Sequence, residues 1–102
     1  MRNSQRRVAE FLDDEDLHAP PAYRLLDLSA EVGELAADAT ASSGYGSDPD
    51  ALSVQRDELG DALFALLALA DELDIDAAAA LEESIAKYEA RIDDGGAPGS
   101  GE

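Results

Sequence analysis

Cysteine is absent from the 102 residues, so neither a disulfide framework nor a thiolate metal site is available. Tryptophan is absent as well, and aromatic residues make up only 5% of the chain, which leaves few rings to stack on a ligand. Bases are scarce: seven stand against 24 acids, Lys87 is the sole lysine, and the formal net charge is −17. That balance argues against binding any nucleic-acid polymer, whose phosphates demand cationic neutralisation. No apolar run reaches the roughly 18 residues of a membrane span, and the polar start of the chain lacks the apolar segment of a signal peptide. The expectation is a soluble, cytoplasmic protein with no membrane partner.

What is present is a chain with 45% hydrophobic residues, arranged in long periodic runs that speak against disorder. The acidic excess reads as adaptation of the surface to high salt, where screening softens self-repulsion. The length fits one small domain with a thin core unless chains associate.

Four helical segments are expected. The first runs from Asn3 to Asp13 with Ser4 as a candidate cap, and His18 to Pro21 breaks the pattern because two prolines cannot continue a helix. The second spans Ala22 to about Ala41 and stops at the loop SSGYGSDPD. The third is expected from near Asp50, capped by Asp48 or Asp50 with Pro49 in its first turn, to Leu73. Asp76 can cap a fourth, from Ala77 to about Ile92. Residues 1–92 then form a single domain, and 93–102, containing GGAPGSGE, have the composition of a flexible tail. The fold class is all-α, a helical bundle.

Acids three residues apart occur five times, at 10/13, 13/16, 31/34, 58/61 and 71/74. About five are expected by chance at this composition, so spacing alone carries nothing. Two of the pairs share a context. Glu31-Val32-Gly33-Glu34-Leu35 and Glu58-Leu59-Gly60-Asp61-Ala62 repeat the pattern acid, apolar, Gly, acid, apolar. A helical glycine costs about 1 kcal/mol against alanine, so its use at both places implies a close approach to each backbone. The second pair also opens the nine-residue apolar run Ala62–Ala70, a pattern expected to be buried on every side. Antiparallel packing across the loop would let both pairs face each other, and four converging carboxylates call for a cation. Oxygen ligands favour Mg²⁺ or Mn²⁺ over zinc. The alternative is a solvated surface: Arg24, Asp27, Glu31, Glu34 and Asp38 follow a 3,4,3,4 spacing, which makes one polar stripe.

EVGEL, then ELGDALFALLALADELDID, then KYEAR together resemble the MazG-like nucleotide pyrophosphohydrolases over about residues 20 to 92. The resemblance implies the all-α NTP pyrophosphatase type of bundle, completed by oligomerisation as a dimer or tetramer. It also implies Mg²⁺-dependent cleavage of nucleoside triphosphates between the α and β phosphates to monophosphate and pyrophosphate, in nucleotide-pool house-cleaning. By position its metal ligands are Glu31, Glu34, Glu58 and Asp61, and Lys87 and Arg91 match the basic positions of a Lys-Asn-x-x-Arg-like run. Ala30 stands where the family signature has its first Glu, and Tyr88 stands where Asn is frequent.

In such a site Glu31 is the candidate general base. Lys87 and Arg91, with Tyr88, are candidate substrate contacts, and Tyr45, flanked by glycines on a loop, is another. For Lys87 and Arg91 the alternative is an ordinary helix pair with Glu83 plus a cation near a helix C-terminus. Tyr23, Phe64 and His18 are the other side chains able to meet a base, though Phe64 in the apolar run suits the core better. Two other functions fit the pattern: a non-catalytic acidic helical oligomer serving as an interaction module, and phosphoribosyl-ATP pyrophosphohydrolase.

Overall fold

The apolar run of the third helix locates the core. In the computed structural model, which describes residues 1–95, the helices are α1 Arg2–Asp14, α2 Pro21–Ser42, α3 Arg56–Glu72 and α4 Ala77–Asp93. No strand occurs among the described residues, and the chain is all-α. Residues 96–102 of the expected tail lie outside the described residues, while Asp93 ends α4.

α3 is central, packed along α2 and across α1. Ala62, Ala65 and Ala68 are buried along one side of it, and small side chains at that spacing let a neighbouring helix come close. Val8 and Leu12 of α1 meet Leu67 and Ala68 of α3, with Phe64 and Ala77 packed against them. Phe11 stands edge-on to Phe64, with ring centroids 5.9 Å apart and an interplanar angle of 81°, the arrangement that ring quadrupoles favour.

The run from Ala62 to Ala70 is not buried on every side. Leu63 and Leu66 are 41% and 47% exposed, because α1 and α2 cover two sides of α3 only. α4 packs on α1 and buries none of its own residues.

The third helix also starts later than expected, at Arg56 rather than near Asp50. Pro49 opens a short 3-10 turn, Pro49–Ala51, instead of α3. Leu52 and Gln55 are then extended. The hydroxyl of Ser42 holds this segment to the end of α2, accepting from Ser53 N at 2.8 Å and donating to Ser53 O at 3.0 Å. At α1 the expected Ser4 cap is replaced by Met1, which makes no side-chain cap bond. Asp76 caps α4 as expected, accepting from Ala78 N and Ala79 N at 3.0 and 3.2 Å.

Two aspartates end helices. Asp16 after α1 and Asp74 after α3 have φ of 54° and 55°, a left-handed conformation that short polar side chains tolerate. Leu17 N donates to Leu12 O and Ile75 N to Ala70 O, each at 2.9 Å, closing the helix ends. Gln5 then ties the α3–α4 connection to α1: its Nε2 donates to Ile75 O, and its Oε1 accepts from Ala77 N, both at 2.8 Å. No helix among the described residues is long and apolar enough to cross a membrane.

Candidate metal centre between α2 and α3

Part of the polar stripe of α2 turns toward α3: Arg24 is buried and Glu31 and Asp38 are half-buried, while Asp27 and Glu34 stay exposed. Three cross-helix pairings set an antiparallel register. Arg24 Nε lies 3.7 Å from Glu72 Oε2, Glu31 is repelled by Asp61, and Asp38 and Glu34 are neighbours of Glu58. The alanine side of α3 therefore meets the charged side of α2. Glu31, Asp38 and Glu58 are half-buried as a result, whereas Glu34 and Asp61 sit at the exposed margin.

Both glycine-bearing pairs are thus brought together. Burial first, then repulsion from Glu34 and Asp61, raises the pKa of Glu31 above its ordinary value. Glu58 is raised to about 7, foremost by a hydrogen bond shared with Asp38, then by burial and the charges of Asp38, Glu34 and Asp57. Such shifts mark like charges crowded without a counter-charge. Glu31 Oε2, Asp38 Oδ2 and Glu58 Oε2 are buried with no hydrogen-bond partner, and buried acceptors without partners are costly. Asp38 and Asp27, which the sequence offered only as members of a stripe, belong to this site. Their 3,4 spacing was the available signal.

Arg24 is the one cation built into the stripe. It is buried, donates to Leu17 O, lies 3.7 Å from Asp27 and from Glu72, and leaves Nε without a hydrogen bond. With Asp27, Glu31, Asp61, Phe64 and Ala65 it lines a cavity of about 350 Å³.

The remaining candidates stand elsewhere. Lys87 and Arg91 sit over the Tyr88 ring, 5.0 and 5.6 Å from its centroid, and no ion pair joins them to any acid among the described residues. Tyr45 occupies the turn that ends α2, with φ of 57°, and is 85% exposed. His18 is a clasp: its ring bridges Asp13 of α1 and, at 3.0 Å, Glu72 of α3. Glu72 also accepts from Ala19 N at 2.7 Å. Among the described residues, the group of three that brings possible ligand atoms within 4.8 Å of one another is His18, Asp71 and Glu72.

The two helical glycines carry a further finding. A Cβ built on Gly33 or Gly60 meets nothing within 4 Å. The close approach expected at these two glycines is not made by any described residue of the chain.

No family model, curated protein or solved structure matches the chain. Chemistry at the site therefore rests on its donor set: six carboxylates around the α2–α3 seam, three of them with a buried oxygen unpartnered. Hard oxygen donors of this kind suit a divalent cation such as Mg²⁺.

Proposed function

We propose that the protein is a Mg²⁺-dependent nucleoside triphosphate pyrophosphohydrolase that cleaves between the α and β phosphates, as its resemblance to the MazG-like enzymes implies. The observation that carries this reading is the set of buried, unpartnered oxygens on Glu31, Asp38 and Glu58 along the seam between two helices. Glu31, Glu34, Glu58 and Asp61 would hold the ion, with Asp38 as an added donor, although as they stand their oxygens do not gather three within 4.8 Å of one another. When bound, Mg²⁺ supplies a Lewis acid for the phosphate oxygens and lowers the pKa of a nucleophilic water.

The chain's own part is to place charge. Glu31, whose pKa is already raised, is suited to take a proton from the attacking water. The Arg24 guanidinium lines the same cavity and would place its positive charge beside a phosphate oxygen. Association belongs to the same proposal: further copies, making a dimer or tetramer, would cover Leu66 of α3 and Leu73 just beyond it, both exposed here. Clearing surplus or non-standard nucleotides in the cytoplasm is the role that fits.

A second reading, a non-catalytic acidic oligomer, is favoured by one observation. Lys87 and Arg91 of the same chain make no ion pair with the acids among the described residues. Pyrophosphate release from a panel of canonical and modified triphosphates, in high salt with Mg²⁺, decides between them. Turnover that disappears on chelation and in Glu58→Gln supports the enzyme. A folded, oligomeric chain with no turnover on any substrate supports the module.

A further inference from the structure

A second cleft lies on the α1 side of α3 rather than along the α2 seam. Between α1 and α3 a cleft of about 370 Å³ is walled by Val8, Phe11, Leu63, Phe64 and Leu67, with Ser4 and Arg7 at its polar edge. Gly60 forms part of its lining, and no neighbour requires glycine there, since a Cβ would meet nothing. Arg7 makes no ion pair among the described residues, in a chain with net charge −17. A free guanidinium beside an apolar cleft with two phenyl rings fits a flat ring bearing carbonyl or ring-nitrogen acceptors.

The cleft also adjoins the acidic cavity. Gly60, Leu63, Phe64 and Leu67 share one face of α3 at helical spacing, and Asp61, Phe64 and Ala65 share the next. Phe64 lines both cavities. A molecule with a planar ring at one end and phosphates at the other could lie across Phe64, ring against α1 and phosphates toward Arg24 and the carboxylates.

We propose that the α1–α3 cleft over Gly60 is the nucleobase pocket, with Phe11 and Phe64 as its aromatic walls and Ser4 and Arg7 reading the base edge. This rests on the pyrophosphohydrolase reading for the phosphate end. Aromatic contact is tolerant of base identity, so discrimination falls to Ser4 and Arg7, the two polar groups of the lining.

The test uses free nucleosides, which need neither metal nor phosphate. Phe11 and Phe64 are the chain's two phenylalanines and both line the cleft, so ring-labelled phenylalanine makes NMR report on this pocket, with Phe11, which does not line the acidic cavity, separating it from the neighbouring site. Titrating adenosine, guanosine, cytidine and thymidine into the full-length protein is expected to shift both ring signals for at least one nucleoside. Gly60→Leu, which fills the cleft from a position open to a side chain, weakens that binding on the order of tenfold or more. Gly60→Ala weakens it less. Unmoved rings with all four nucleosides, or equal binding in Gly60→Leu, would overturn the proposal. So would ring signals that shift on dilution without nucleoside, which would assign the cleft to a second copy of the chain. Triphosphate turnover without nucleoside shifts removes the pocket and keeps the enzyme, whereas shifts without turnover keep the pocket and remove the enzyme.

Discussion

Glu72→Gln isolates the clasp that holds α1, α2 and α3 together. Glu72 accepts from Ala19 N at 2.7 Å and His18 Nδ1 lies 3.0 Å from it; its other cationic neighbour is Arg24, 3.7 Å away. Its side chain is only 11% exposed, as is that of Arg24. Glutamine keeps the shape and can still accept from Ala19 N, but removes the charge opposite Arg24 and the His18 ring. Hydrogen bonds to charged groups contribute about 1.5–3 kcal/mol, and Arg24 keeps Leu17 O and Asp27 as partners, so a loss of about 2 kcal/mol is expected. One opposing effect exists: the substitution lowers a net charge of −17 by one. In about 0.1 M salt the Debye length is near 10 Å, so relief of distant repulsion amounts to roughly 0.2–1 kcal/mol. Local loss wins. At about 4–8 °C per kcal/mol for a domain of this size, Tm should fall by roughly 8–16 °C in circular-dichroism melts at neutral pH. An unchanged or higher Tm would refute the reasoning and show that relief of global repulsion outweighs the clasp.

The same clasp sets a pH dependence. The pKa of His18 is raised, first by its hydrogen bond to Asp13 and then by that to Glu72; its contribution is fully present below 6.5 and is lost as pH rises through the raised folded value. The pKa of Glu72 is lowered, first by the Ala19 backbone N–H, so its contribution is present above 4.5 and is lost as pH falls through the depressed value. Melts across pH should show both limbs, and His18→Ala should flatten the alkaline one; an unchanged alkaline limb counts against the clasp. Leu12→Ala empties a fully buried site beside Ala68 and Leu67, with small neighbours that cannot fill the gap. Chemical denaturation should report a loss of about 2–5 kcal/mol, and a loss under about 1 kcal/mol would mean that this core is not packed as described. Asp38→Asn removes the carboxylate that does most to raise the pKa of Glu58. It should raise Tm in chelator yet shrink the added stability that Mg²⁺ confers on the wild type, whereas an identical Mg²⁺ response would take Asp38 out of the site.

Helices could be located along the chain wherever the signal was local. Asp76 was legible as a cap because an aspartate before four alanines satisfies backbone N–H groups within its own turn. The start of α3 was not, because Pro49 suits a 3-10 turn as well as an α-helix, and Ser42 then holds the following segment extended from eleven residues away. The sequence offered His18 only as a side chain able to meet a base, since no local pattern ties it to Asp13 or Glu72. Its role exists only once α1 and α3 are packed.

The sequence by itself determined the helical class and the candidate pairs Glu31/Glu34 and Glu58/Asp61, because hydrophobic period and local motif are properties of neighbouring residues. Only the tertiary structure decided that Arg24, Glu31 and Asp38 of the α2 stripe turn toward the alanines of α3 while Asp27 and Glu34 stay exposed. It also drew Asp38 and Arg24 into that seam, and left α4 with its cations away from the acids. The side to which a polar stripe turns depends on what the opposite helix presents. Here the alanines of α3 are too small to cover α2 with apolar groups, so the acids themselves line the contact.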